Sequence, residues 1–215
     1  YYGMASMNQF MLGYNVGVRN RSRKIFFNLE VFGNPSGITN HNDQSSYESL
    51  RYRAEASYIY ARASHSLSQE FSGFWFSYDL SGQYSTTNLL PSEQFTMTGY
   101  NSIRGFEERI LNLDNAGILH LTIETPHVSP IHGLGFCKHY DELYLLAFFD
   151  AGLGTRHNPP NGSPSFASLG SIGPSFRYQY SRNVSAHLDY GFQLWHSGFD
   201  PITSSRYNFG VILSY

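Results

Sequence analysis

The residue best placed for an ionic interaction is Arg104, the one cation in residues 91–106. Residues 81–115 do not show a strand pattern, and a connection this long in an all-β protein more often carries function than filler. If the connection enters a confined space, a guanidinium there needs a carboxylate partner, and a bidentate pair would fix its orientation. The residues alone leave two alternatives open. Arg104 either pairs with an acid such as Asp150, or it is solvated while Asp150 is an acid at a strand end.

Metal binding is the second chemistry to consider. The connection over residues 126–140 and its end hold His132, Cys137, His139 and Asp141, whose side chains can all bind zinc. Their spacing matches no standard zinc pattern, so a histidine-containing turn is the favoured interpretation. We expect neither a metal nor a cofactor.

Acid–base catalysis is the third chemistry to consider. Glu107 and Glu108 with His120 or His187 would supply the groups, but acids and histidines also line barrel walls. The nucleophile-elbow pattern G-x-S-x-G is absent from the sequence. We therefore do not expect an enzyme.

The composition indicates a membrane β-barrel. Charged residues make up 14% of the 215-residue chain and aromatic residues 17%, yet the mean hydropathy is −0.34. No run of about 20 apolar residues is present to form a transmembrane helix. A barrel fits because its strands are apolar on one face only. A soluble β-sandwich would also explain an alternation of apolar and polar residues, but it explains less well the density of Tyr and Phe on one face. The net charge of −2 gives no basic surface for nucleic acid.

Alternation of apolar and polar residues predicts about nine strands. The predicted strands cover residues 7–18, 24–33, 50–62, 70–83, 116–125, 142–153, 168–180, 184–194 and 207–215, with a short turn at 64–68. In the strand over 50–62, Arg51, Arg53 and Glu55 share one face, which cannot contact lipid because a charge at the midplane costs about 2–4 kcal/mol. We expect these residues and Arg177 to line a hydrated lumen as a charge ladder.

The connections alternate between short and long, as in outer-membrane barrels with short periplasmic turns and long extracellular loops. Because long connections lie on the extracellular side in such barrels, the alternation places segment 81–115 outside the cell. An odd number of strands that begins on the outer side cannot close, and lipid does not tolerate an open edge. We therefore expect further strands, from the same protein or from a partner chain. The first residues do not form a signal peptide, which agrees with a processed chain or a fragment.

Two motifs carry a resemblance to a known superfamily. The stretch SEQFTMTGYNSIRGF contains Ser102, Ile103, Arg104, Gly105 and Phe106, and FFDAG on the second strand after it contains Phe148, Asp150 and Gly152. Together they resemble the outer-membrane protein-translocating barrels, which include two-partner secretion transporters and barrel-assembly insertases. Ile103 stands where valine is more usual, and Thr98-Gly99 replaces a more usual Gly-Gly.

The resemblance implies a loop that folds into the lumen and an arginine that pairs with the wall carboxylate, here Arg104 and Asp150. It implies that the chain supplies strands eight to sixteen of a barrel of about sixteen strands. It favours two-partner secretion, in which an unfolded polypeptide passes outward without nucleotide. The alternatives are an insertase acting on nascent outer-membrane proteins, and a passive porin or barrel enzyme. The expected partners are the polypeptide, the lipid bilayer, and the missing strands and periplasmic domains.

Overall fold

A single large antiparallel sheet dominates the computed structural model, which describes residues 3–133 and 141–214. Nine strands form this sheet in the order β1-β2-β3-β4-β7-β8-β9-β10-β11. Their bounds are β1 Phe10–Arg19, β2 Arg23–Asn34, β3 Tyr58–Phe71, β4 Phe74–Ser85, β7 Asn115–Glu124, β8 Asp141–Thr155, β9 Phe166–Tyr180, β10 Val184–Ser197 and β11 Ser205–Leu213. The predicted all-β antiparallel architecture and the number of strands are confirmed. The described strands do not form the two packed sheets of a sandwich.

The smaller elements lie in the connections. The chain from β4 to β7 holds the short strands β5, Phe95–Thr96, and β6, Asn112–Leu113, which pair with each other. Helix α1, Gln44–Leu50, lies between β2 and β3, and helix α2, Pro130–Gly133, lies between β7 and β8. Within the described residues, neither helix has the length and apolar character needed to cross a bilayer.

Strand pairing gives the sheet two chemically different faces. Each strand presents large apolar residues on what we call the outer face, and they are exposed; examples are Leu12, Val31, Ile59, Leu80, Leu121, Leu145, Ile172, Leu188 and Phe209. The opposite, inner face carries polar residues such as His120, Asp150 and Asp189. The period-two alternation therefore separates an apolar surface from a polar one.

The predicted boundaries between residues 50 and 83 are wrong. Of the predicted strand over 50–62, residues 50–57 are instead the end of α1 followed by turns, and only residues 58–62 lie in a strand, at the start of β3. The predicted turn at 64–68 lies inside β3. The true hairpin turn is Ser72-Gly73, and it joins the paired residues Phe71 and Phe74. Both turn residues have positive φ, 53° and 84°, as a two-residue type I′ turn requires.

Local capping explains why the helix replaces the start of that predicted strand. Asp43 caps α1, and its carboxylate accepts a hydrogen bond from the backbone N–H of Ser46 at 3.0 Å. Hydrogen bonds from Ser45 and Ser46 lower the pKa of Asp43 to about 2. After the helix, Arg53 adopts a φ of 53°, which a strand cannot accommodate.

The connection over residues 86–114 packs on the inner face of the sheet. Its first part meets the β2–β3 connection, where Leu89 and Leu90 join Tyr47, Tyr58 and Tyr60 in one apolar cluster. Its later part forms a second cluster with the sheet, made of Met97, Ile103, Phe106, Leu111, Leu113, Ile118, Ala167 and Leu169. The connection is therefore held by two buried cores.

Candidate functional site

A compact turn presents Arg104 to the sheet. The backbone N–H of Ile103 donates to the carbonyl of Met97 at 3.1 Å, and the N–H of Gly99 donates to the carbonyl of Ile103 at 3.3 Å. The hydroxyl of Ser102 donates to the carbonyl of Thr96 at 3.0 Å. Thr98 is fully buried, and its hydroxyl accepts from the N–H groups of Ile110 and Leu111. These bonds define the backbone direction at the residue that follows, Arg104.

The structure brings Arg104 and Asp150 together. The Arg104 side chain donates from Nε to Asp150 Oδ2 at 2.7 Å and from Nη2 to Oδ1 at 2.8 Å. The backbone N–H of Arg104 also donates to Oδ2, at 3.2 Å. The side chain of Asp150 is 0% exposed and that of Arg104 is 13% exposed. The pair is therefore bidentate and shielded from solvent, the geometry in which a guanidinium discriminates best among partners.

Two neighbours complete the environment of this ion pair. The guanidinium carbon of Arg104 lies 3.6 Å from the centre of the Phe148 ring, a cation–π contact beneath the ion pair. His120 lies opposite Asp150 in the register of β7 and β8, and its Nδ1 is 2.8 Å from Asp150 Oδ1. Asp150 thus binds groups from the 86–114 connection and from the neighbouring strand.

A second buried carboxylate, Asp189, lies on the far side of Arg104. Its Oδ1 is 3.9 Å from Arg104 Nη1 and accepts from Arg177 Nη2 at 2.8 Å. The hydroxyl of Ser175 donates to the same oxygen at 2.5 Å. Arg177 therefore lies on the inner face, as predicted by strand parity, and binds the neighbouring strand. The network of two arginines and two aspartates joins β8, β9 and β10 to the connection.

Glycines allow the turn to approach the sheet backbone closely. Gly105 has a φ of 90°, and a Cβ there would lie 3.0 Å from the carbonyl carbon of Gly191 on β10. A Cβ on Gly191 would in turn lie 2.7 Å from Gly105 Cα. The Gln193 amide donates to the Gly105 carbonyl at 2.7 Å. Only glycine fits at this backbone contact.

The apolar residues of the motif hold the turn from the other side. Ile103 and Phe106 are buried in the second apolar cluster, and Phe106 packs against Phe199, with the ring centres 5.8 Å apart. Gly152 leaves space for Ile103, because a Cβ at 152 would lie 2.6 Å from Ile103 Cδ1.

Glu107 fastens the turn to the connection between β10 and β11. Its Oε1 accepts from the backbone N–H groups of Ile202 and Thr203 at 3.1 and 3.0 Å, and from the Thr203 hydroxyl at 3.0 Å. Burial alone would raise the pKa of Glu107, but these hydrogen bonds outweigh it and hold the pKa below its ordinary value. Glu107 is therefore a structural carboxylate, held ionised by its donors.

The remaining predicted site residues lie elsewhere. Arg51, Arg53 and Glu55 belong to the turns after α1, so the predicted ladder on a wall strand is wrong for them. Arg51 binds Asp114, with Nη1 to Oδ1 at 2.6 Å and Nη2 to Oδ2 at 2.7 Å. Arg53 and Glu55 are exposed.

Each group weighed for catalysis or metal binding whose side chain the structure describes has a structural contact of its own. Glu107 binds Thr203, Glu108 accepts from the N–H of Tyr100, and His120 contacts Asp150. His187 stacks on Tyr100, with ring centres 5.1 Å apart. Cys137 and His139 lie outside the described residues. Asp141 is buried and accepts from the backbone N–H of Ile131 at 2.9 Å.

Several residues of the site were missed by sequence reasoning. Asp189, Gly191 and Gln193 lie on one face of β10, and His120 lies beside Asp150, because strand register brings them together. Their period-two spacing at 189, 191 and 193 placed them on one face, but it did not indicate which strand would meet the turn. Asp114, fully buried next to the start of β7, gave no sequence signal.

The sheet has the architecture of a membrane β-barrel wall. It is antiparallel, its outer face is apolar and its inner face is polar, and buried ion pairs hold a connection against the inner face. The chain matches the family model of the haemolysin secretion/activation protein ShlB/FhaC/HecB over residues 7–175, and it belongs to this family. No curated protein and no solved structure matches the chain significantly.

The family is that of the two-partner secretion transporters, β-barrel proteins that translocate polypeptides across the outer membrane. The predicted class of function is thereby confirmed, and the secretion branch is favoured over the insertase branch. The matched residues include both the turn around Arg104 and the strand that carries Asp150.

Proposed function

We propose that this chain forms part of the wall of an outer-membrane pore through which an unfolded polypeptide leaves the cell. Connection 86–114 folds into the lumen, and the ion pair between Arg104 and Asp150, called here the latch, holds it there. The observation that carries the proposal is the bidentate contact between an arginine of the connection and a fully buried carboxylate of β8.

The two faces of the sheet support the membrane part of the proposal. The outer face is lined by exposed apolar side chains, whereas Asp150, Asp189 and Arg177 all lie on the inner face. A charge on the lipid face near the bilayer centre would cost about 2–4 kcal/mol. Lipid therefore covers the outer face and the lumen lies at the inner face.

The edges of the sheet support a larger assembly. In the described part of the chain, β1 and β11 end the strand order. Unpaired backbone groups in hydrocarbon cost several kcal/mol each, so both edges are paired in the membrane. Further strands, from the same protein or from a partner chain, pair with these two edges and complete the wall around the lumen.

The latch controls the position of the connection in the lumen. Transport of the polypeptide consumes no nucleotide. Breaking a buried ion pair by removing one partner typically costs about 3–5 kcal/mol, because the other charge stays buried without compensation. The connection then leaves its position, although the sheet itself remains paired. The folding of the passenger outside the cell supplies the drive for secretion.

Secretion of the passenger into the medium by Arg104→Ala and Asp150→Ala variants tests the proposal. Both variants should insert into the outer membrane as folded barrels, measured by heat-modifiable migration on gels, yet secrete several-fold less. Arg109→Ala is a matched control, because Arg109 is an exposed arginine in the same connection. Normal secretion by both latch variants would overturn the proposal.

A further inference from the structure

The connection between β2 and β3 also folds over the inner face. Tyr47 of α1 is fully buried, and its hydroxyl accepts from the Asn34 amide at 3.1 Å and donates to the Ser6 carbonyl at 3.0 Å. Ala54 and Ala56, which follow α1, are buried in the cluster that also holds Leu89 and Leu90. Residues 35–57 therefore pack against connection 86–114.

A single buried carboxylate ties these connections together. Asp114 is 0% exposed and accepts two hydrogen bonds from the Arg51 guanidinium. It also accepts from the N–H of Leu89 at 3.1 Å, the Gln94 amide at 3.3 Å and the N–H of His157 at 2.9 Å. These donors come from residues 35–57, from 86–114 and from the β8–β9 connection, so Asp114 is shared by three connections at one end of the sheet.

Arg51 reaches Asp114 across the boundary between the two connections. Its Nη1 also donates to the carbonyl of Leu89, so the guanidinium binds connection 86–114 through backbone and side chain. Nearby, the N–H of Glu55 donates to the carbonyl of Asn88 at 3.0 Å, and the Asn88 amide donates to the Tyr52 carbonyl at 3.1 Å. The boundary is thus closed by polar contacts above an apolar cluster.

This contact lies well away from the latch. Asn115, next to Asp114, pairs with Thr155, which is five residues along β8 from Asp150. Asp114 lies one residue further out, so at a rise of about 3.3 Å per residue the two buried carboxylates are separated by roughly 20 Å along the strands. The latch holds connection 86–114 at mid-strand, whereas Asp114 holds it at the strand ends.

We propose that Arg51 and Asp114 are positioning residues that seal the extracellular mouth of the pore by holding residues 35–57 against connection 86–114. This inference rests on the proposed function, because the mouth and the lumen are defined by it. The seal restricts ion passage in the resting transporter, and it is separate from the latch that secretion requires.

The seal is tested by single-channel recording of the full transporter in planar lipid bilayers. Arg51→Gln removes the charge-assisted hydrogen bonds to Asp114, and we expect openings of the pore to become about tenfold more frequent. Arg53→Gln is the matched control, because it removes the same charge from an exposed residue two positions away. Its recordings should equal those of the wild type.

A disulfide across the same boundary provides the rescue. The N–H of Glu55 donates to the carbonyl of Asn88 at 3.0 Å. Residues bonded in this way across an antiparallel pair have Cα atoms about 5.5 Å apart, within the ~4.4–6.8 Å that a disulfide spans, so we expect a cross-link between these positions to form. The rescue variant carries cysteines at both positions together with Arg51→Gln and Cys137→Ser. When the disulfide is oxidised, the frequency of pore openings should return to the wild-type value, and on reduction it should rise again. Heat-modifiable migration verifies that each variant is folded.

The outcomes separate the seal from the proposed function. The seal would be overturned if folded Arg51→Gln protein opened no more often than the wild type, or if the disulfide did not reduce the additional openings. If the Arg104 and Asp150 variants still lose secretion in that case, the proposed function stands without the seal. A leak in Arg51→Gln that the disulfide reverses, together with secretion by that variant, supports the seal as a second and distinct device.

Discussion

Arg104 and Asp150 are separated by 46 positions in the chain and meet in a bidentate ion pair with contacts of 2.7 and 2.8 Å. The contact joins a turn of connection 86–114 to the inner face of β8. Because the carboxylate is fully buried, removing Arg104 leaves Asp150 with only His120 as a side-chain partner, and removing Asp150 leaves the Arg104 guanidinium 3.9 Å from Asp189, so either change is costly.

Geometry and charge both contribute to this contact, and Arg104→Lys separates them. A lysine keeps the positive charge but offers no planar pair of donors for the two oxygens of Asp150. We expect secretion to fall in Arg104→Lys, though less than in Arg104→Ala. Passenger in the medium is compared at equal barrel abundance, and secretion by the lysine variant at the wild-type level would show that charge alone is sufficient.

The cation–π contact beneath the latch is tested by Phe148→Leu. Leucine keeps an apolar side chain below the guanidinium but removes the aromatic face, a contact worth about 0.5–2 kcal/mol. We expect connection 86–114 to become more susceptible to added protease, while the sheet remains protected. Unchanged protease susceptibility would show that the ring contributes only packing.

The backbone contact between Gly105 and Gly191 predicts a contrast between two glycine substitutions. Gly105→Ala and Gly162→Ala place a Cβ on residues with φ of 90° and 86°, so the conformational strain is similar. At 105 the Cβ meets the Gly191 backbone at 3.0 Å, whereas at 162 it meets nothing within 4 Å. We expect only Gly105→Ala to lose secretion. Equal effects of the two substitutions would exclude close approach as the reason for glycine at 105.

His127, between β7 and β8, predicts a pH-dependent contribution to stability. Its Nε2 lies 2.6 Å from Glu124 and its Nδ1 lies 2.5 Å from Glu142, while Tyr144 stacks on the ring. Burial alone would lower the pKa of His127, but the hydrogen bonds and charges of the two carboxylates outweigh it and raise the pKa. Because the folded pKa lies above the unfolded one, the stabilisation is complete below about pH 6.5 and is lost as pH rises through the folded value.

The measurement is the difference in Tm between the wild type and His127→Gln in detergent at pH 6 and at pH 9. The substitution should lower Tm more at pH 6, by an amount equivalent to less than about 1 kcal/mol because the site is partly exposed. A loss of Tm that is the same at both pH values would mean that folding does not raise the pKa of His127, and would contradict this prediction.

The sequence predicted the parts of this molecule that depend on period and motif. Alternation located nine strands, and the family resemblance carried by the two motifs indicated Arg104 and Asp150 as partners. It failed at residues 50–57, where Leu50 and Tyr52 alternate with polar residues as in a strand, although Asp43 caps a helix that ends at Leu50. The hairpin turn lies at Ser72 and Gly73, whose positive φ values suit a two-residue turn, and not at the predicted residues 64–68.

The contacts that sequence reasoning missed depend on register and on the path of the long connection. Asp189 and Gly191 meet Arg104 and Gly105 only because β10 lies beside β9 at one particular offset. Asp114 acquires its role because three connections converge on it. Alternation assigns a face to each residue, but it does not determine which face-sharing residues come within bonding distance.

A double-mutant cycle on secretion tests the central claim most directly. Passenger secretion is measured for Arg104→Gln, Asp150→Asn and the double variant, each at equal barrel abundance in the outer membrane. If the two residues act through one ion pair, the double variant should secrete no less than the poorer single variant. Losses that multiply in the double variant would show that Arg104 and Asp150 act independently, and would contradict the latch.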